Sequence, residues 1–153
     1  MSYNEKKSIT NIVSSIIITG VYAIIIYQKY LNGSIDATNV FKFWAIIILI
    51  FIPISIIARI IIMIIFSIIN AVVQTAKGED LDEADLVDER DKLIELKVTK
   101  ASLIVFSLGF VLALVTQAFN MSNHMFFITL MLAGVITEIV SETMTIMYYR
   151  KGV

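Results

Sequence analysis

The chain has no cysteine, one proline and one histidine. Without thiols, disulfides, thiolate metal sites and a cysteine nucleophile are all excluded. The single histidine, His124, has no second imidazole to share a metal ion and no serine or threonine partner in an apolar run, which excludes a hydrolase triad. It follows the residues Met121, Ser122 and Asn123 and reads as an exposed residue of a polar link. The single proline leaves one position, Pro53, where a helix is expected to kink. A phosphate loop, a dinucleotide fingerprint, an HExxH motif, a pair of intramembrane aspartates and a basic nucleic-acid face are all missing. The expectation is a non-enzymatic protein with no cofactor, no metal site and no direct contact with nucleic acid.

Charge is scarce as well. Of the 153 residues, 16% are Asp, Glu, Lys or Arg, where soluble domains carry roughly 25%. Hydrophobic residues make up 58% and the mean hydropathy is +0.87. The surplus is collected in long blocks, the pattern of a membrane protein rather than of a large soluble core. A bilayer core about 30 Å thick needs roughly 20 apolar helical residues. Spans are expected at about 8–30, 41–65, 101–119 and 125–149, with a cytoplasmic extension at about 66–100. The runs are continuous rather than alternating, which favours helices over a barrel. The fold expected is an all-α integral membrane protein: one domain over 1–153, a four-transmembrane-helix bundle with helices two and three extended into a cytoplasmic hairpin. The first apolar stretch has a basic start, as a signal peptide has. It is too long for a signal h-region and no small-x-small site follows, so it reads as a retained span.

Orientation follows from the basic residues. Lys6, Lys7, Lys77, Arg90, Lys92, Lys97, Lys100, Arg150 and Lys151 fall on one side, and only Lys29 and Lys42 on the other. The richer side is expected to be cytoplasmic, with both termini there. Tyr27, Tyr30, Phe41, Phe43 and Trp44 suit an outer interfacial belt, and Tyr148 and Tyr149 an inner one.

The second apolar segment outruns the bilayer. From Lys42 to Lys77 its only charge is Arg59, and that stretch makes about 50 Å of helix. The part from Phe66 to Thr75 is expected to project into the cytoplasm and to need a cover. The stretch "VDERDKLIELKVTKASLIVF" supplies a candidate, because Val87, Ile94, Val98, Ala101 and Val105 make one helical stripe. An antiparallel hairpin of helices two and three is therefore expected, turning within "KGEDLDEAD". The acidic run from Glu79 to Asp91 lacks the glycine and ligand spacing of an EF-hand. It reads as a solvated linker and helix start, with docking of a basic partner as the alternative.

Arg59 in an isoleucine run demands a partner, since an unpaired charge at the bilayer centre costs about 2.5–3.5 kcal/mol on insertion scales. Counted from the outer surface, Arg59 lies about 27 Å deep, Glu138 about 20 Å and Glu142 about 26 Å. Arg59 and Glu142 are thus expected to be level, with Glu138 and Ser141 on the same polar face of the fourth helix. Asn11, Ser15, Thr19 and Tyr22 form a matching face on the first helix, and Gly109 with Ala113 is a small-xxx-small pair on the third. Two readings of the charge cluster remain open: a pair that fixes helix register, or a proton, ion or small-ligand site.

The residues Asp88, Glu89, Arg90, Ile94 and Lys97 carry a resemblance. An Asp-Glu-Arg triplet, an apolar residue four after the arginine and a basic residue three further on, leading into a span, resembles an uncharacterised family of small bacterial and archaeal four-span membrane proteins. Val98 stands where members of that family often have alanine. The likeness extends over about the last two helices. It implies a place in a prokaryotic cytoplasmic membrane and a soluble partner of the helix-turn-helix regulator type. Asp88, Glu89, Arg90, Ile94 and Lys97 are then the expected interaction residues, for that partner or for a second copy in a homo-oligomer. The alternative is a small ion-coupled transporter using Arg59, Glu138 and Glu142.

Overall fold

The computed structural model describes residues 3–33, 38–77 and 89–151. They form four helices: α1 (Tyr3–Leu31), α2 (Val40–Lys77), α3 (Glu89–Ala118) and α4 (Asn123–Lys151). No strand occurs among the described residues. All four helices are long and apolar enough to cross a membrane, so the chain has the build of a multi-pass membrane protein.

The helix ends follow from local chemistry. Asn39 Oδ1 accepts the Lys42 backbone N–H at 3.0 Å, which makes Asn39 the N-cap of α2. Ser122 does the same for α4, its Oγ accepting the His124 N–H at 3.3 Å. The turn between α3 and α4 is a Schellman motif: Asn120 takes φ 54°, its N–H bonds the Gln117 carbonyl at 2.9 Å, and the Met121 N–H bonds the Thr116 carbonyl at 2.9 Å. Asparagine tolerates this left-handed conformation better than most side chains, so the turn stays short and α3 and α4 fold back antiparallel. The helical assignment of α2 runs unbroken through Pro53.

α4 is the central helix. It packs most extensively on α3, then on α1, and it touches α2; α1 also packs on α2. The α3–α4 interface is built from small residues. Ala113 is fully buried, and a methyl group added at Gly109 would collide with the side chain of Ala133. Lipid tails are as apolar as leucine, so burying leucine or isoleucine against another helix gains little in a bilayer. Close backbone approach at small residues does the work instead. This is why so many isoleucines of α2, among them Ile56, Ile57, Ile60 and Ile61, point outward while one face, centred on a line of residues, turns inward. That line is Phe43, Ile47, Phe51, Ser55, Arg59 and Met63, four residues apart at each step.

One expectation changes here. The stripe of Ile94, Val98, Ala101 and Val105 does turn inward, with Ile94 and Val98 buried. Its partner is α4, and among the described residues α3 touches neither α2 nor α1. The physical reason is the short asparagine turn, which holds α3 antiparallel along α4. Val87 and the expected hairpin turn lie outside the described residues. The last part of α2 runs past the described start of α1: Phe66 already packs on Tyr3, the first described residue of α1, with the rings tilted and 5.7 Å between centroids.

Substitution of Gly109 by valine is expected to lower stability by about 1–3 kcal/mol, the usual cost of overpacking. At Gly134, where nothing lies within 4 Å of an added Cβ, alanine is expected to be neutral or mildly stabilising. Thermal unfolding of the two variants in detergent micelles measures the difference.

Candidate functional site

The polar groups meet where α1, α2 and α4 converge. On α1 the inward face carries Ser8, Asn11, Ser15 and Tyr22, with Ser8, Ser15 and Tyr22 buried. On α2 the inward line brings Arg59, and on α4 Glu138 and Glu142 lie one turn apart. Arg59 engages Glu138 through both prongs, Nη1 to Oε1 and Nη2 to Oε2. Only the Nη2–Oε2 contact is a hydrogen bond, so the pair is an ion pair with one charge-assisted hydrogen bond. Ser15 Oγ donates to Glu138 Oε2 at 2.7 Å, so three helices meet on one carboxylate. One turn further along α4, Asn11 Nδ2 donates to Glu142 Oε1 at 2.7 Å.

The partner of Arg59 is therefore Glu138 and not the Glu142 that depth counting placed level with it. A helical side chain leans toward the N-terminus of its own helix. The long arginine reaches further along that direction than a glutamate does, and it spans the one-turn offset. Ser141 belongs to the same face but not to the cluster; its carbonyl accepts the Thr145 hydroxyl at 3.0 Å. Among the described residues its own hydroxyl bonds neither carboxylate. The pair is not sealed: the side chains of Arg59 and Glu138 are 43% and 21% exposed, so one flank of the guanidinium opens to the bundle surface.

The expected interaction residues at the other end are mostly engaged within the fold. Asp88 lies outside the described residues. Glu89 opens α3 and is exposed. Arg90 Nη2 donates to the Tyr149 carbonyl at 3.4 Å. Ile94 is buried within the fold at 3% exposure. The Lys97 ammonium sits 5.5 Å from the centre of the Tyr148 ring. Tyr149 donates its hydroxyl to Asp91 Oδ1 at 2.7 Å, so these residues fasten the start of α3 to the end of α4.

Two pairings escaped the sequence reading. Arg150 Nε donates to Glu5 Oε1 at 2.9 Å, joining the start of α1 to the end of α4. Opposite charges at the same end of two spans were the available signal. His124 is not an exposed loop residue: it lies half-buried in the first turn of α4, its Nδ1 accepting the Trp44 indole N–H at 3.0 Å. Trp44 and His124 sit near the starts of two parallel spans, and shared depth was the signal there. Among the described residues no group of three or more His, Cys, Asp or Glu is placed to hold a metal ion.

No protein-family model, no curated protein and no solved structure matches the chain. The functional reading therefore rests on its own residues.

Leucine in place of Glu138 strands the guanidinium of Arg59 in the bilayer, and a loss of about 2.5–3.5 kcal/mol is expected. The double variant Arg59→Leu/Glu138→Leu is expected to recover most of that loss, because removing both charges also removes their desolvation cost. Reversible unfolding of wild type, both single variants and the double variant in mixed micelles gives the coupling directly.

Proposed function

We propose that the chain is a non-enzymatic membrane protein that holds a soluble protein, or a second copy of itself, at the end of the bundle where α2 stops and α3 starts. One observation carries this reading. The first part of α3 holds seven charged residues, Glu89, Arg90, Asp91, Lys92, Glu95, Lys97 and Lys100. Such a density of charge keeps the segment out of hydrocarbon. Yet Leu93 and Leu96 on that segment are 59% and 69% exposed. At the same end Val72 and Val73 stand exposed on the part of α2 that has passed Phe66. Apolar side chains held in water beside charged ones are the usual make-up of a docking surface. This surface replaces the self-covered hairpin with an open one. The richer share of basic residues at this end makes it the cytoplasmic one under the positive-inside rule. The resemblance carried by Glu89, Arg90, Ile94 and Lys97 implies a transcriptional regulator as the soluble partner.

A carrier is the second reading, and Glu142 favours it. Two carboxylates face one arginine, and among the described residues Glu142 has an amide partner but no cationic one. An excess acid in the membrane is a common feature of proton and cation pathways.

With Leu93→Glu/Leu96→Glu in the full chain, recovery of a soluble partner from the cytoplasm is expected to fall by about tenfold or more. If the occupant is a second copy, light scattering in detergent shifts from dimer to monomer instead. Unchanged recovery together with unchanged mass rejects the docking surface. For the carrier reading, proteoliposomes holding wild type are expected to pass protons and those holding Glu142→Gln are not; equal flux from the two removes that role.

A further inference from the structure

The end of the bundle opposite the docking surface contains a cavity of about 440 Å³ between α1, α2 and α4. It is a groove open along one side; Tyr30, Phe43, Trp44 and His124 line its outer end, here called the mouth, and Thr19 and Val135 its inner end. That inner end is one turn from Ser15 and Glu138, so the cavity stops just short of the ion pair. From His124 to Val135 along α4, and equally from Tyr30 to Thr19 along α1, the cavity is about 16 Å deep. One leaflet of hydrocarbon is about 15 Å. The walls are almost wholly apolar, and the depth, volume and lining match one lipid chain running parallel to the helices rather than a compact polar solute.

The mouth is positively biased. Lys29 and Lys42, the only basic residues at this end, adjoin Tyr30 and Phe43 in the chain, and those two rings touch at 6.2 Å. Both lysines are exposed. The N-termini of α2 and α4 open here beside the C-termini of α1 and α3, so the helix dipoles largely cancel and the two lysines set the bias. The link between α1 and α2 holds one acid, Asp36, against the two lysines. His124 accepts from Trp44 at Nδ1, which leaves its Nε2 as the protonated nitrogen of the neutral ring. We propose that the cavity holds an acyl chain of an anionic phospholipid from the leaflet at this end, with the lipid phosphate seated between Lys29 and Lys42.

Trp44 is the chain's only tryptophan and lines the mouth, so its fluorescence reads the site without a label. The full chain is reconstituted into phosphatidylcholine vesicles containing small, increasing fractions of a lipid with brominated chains. Brominated phosphatidylglycerol is expected to reach half-maximal quenching at a roughly tenfold lower fraction than brominated phosphatidylcholine. Lys29→Gln/Lys42→Gln is expected to erase the difference. Val135→Phe, which fills the inner end and leaves the lysines in place, is expected to reduce it strongly. Equal quenching by the two lipids in wild type overturns the proposal. A preference that survives Val135→Phe assigns the effect to surface attraction alone, and displacement by free glycerol phosphate assigns the site to a soluble phosphate; either result also overturns it.

Discussion

The ion pair between Arg59 and Glu138 is the charged interaction that ties the middle of α2 to α4. α2 meets α4 over a small area and α3 not at all among the described residues. Its outward isoleucines are as content against lipid as against another helix. Near the start of α2, Trp44 donates to His124 and stacks on Phe127; along the rest of the span the guanidinium is its polar tie to α4. An interhelical hydrogen bond in a membrane contributes about 0.6 kcal/mol on average, whereas neutralising an intramembrane charge relieves about 2.5–3.5 kcal/mol. The ion pair therefore outweighs the bond from Ser15 to the same carboxylate, which adds α1 to a junction already set.

The two halves of the bundle are held by different physics. α3 and α4 approach through Gly109, Ala113 and Ala133, where small side chains let the backbones close in. Their ends are tied by Tyr149 to Asp91 on one side and by the asparagine turn on the other. α1 and α2 meet α4 and each other through polar and aromatic groups: Ser15 and Asn11 on the α4 carboxylates, Trp44 on His124, and Tyr22 of α1 donating to the Ile47 carbonyl of α2 at 2.7 Å. A small-residue interface is tight and featureless. A polar and aromatic interface leaves space between its anchor points, and the cavity bounded by Trp44, His124 and Val135 occupies that space.

The ends of the molecule differ in the same way. Where α1 ends and α2 and α4 begin, aromatic rings line an apolar recess, and exposed Lys29 and Lys42 adjoin two of those rings in the chain. Where α2 stops and α3 starts, charged residues surround Leu93 and Leu96 on a helix anchored only by its inner face. The ion pair lies between the two ends and ties three helices together. A register-fixing pair and a carrier acid would be compatible, since the first would concern Glu138 and the second Glu142, a carboxylate one turn away.

Much of this was legible in the residues. The continuity of the apolar runs determined four helices and their rough limits, and a lone arginine among isoleucines determined that an acid on another span must answer it. The stripe through Ile94, Val98, Ala101 and Val105 and the pair Gly109 and Ala113 marked the inward face of α3. The tertiary structure alone decided which helix each face met. Periodicity specifies a face but carries no address, and in lipid hydrophobicity does not rank one neighbouring helix above another. So α3 took α4 rather than α2, Arg59 reached Glu138 rather than Glu142, and His124 left the expected loop for the side of Trp44. Each of these outcomes depends on offsets of a single helical turn, which a linear count of depth does not resolve and which side-chain reach and short turns set.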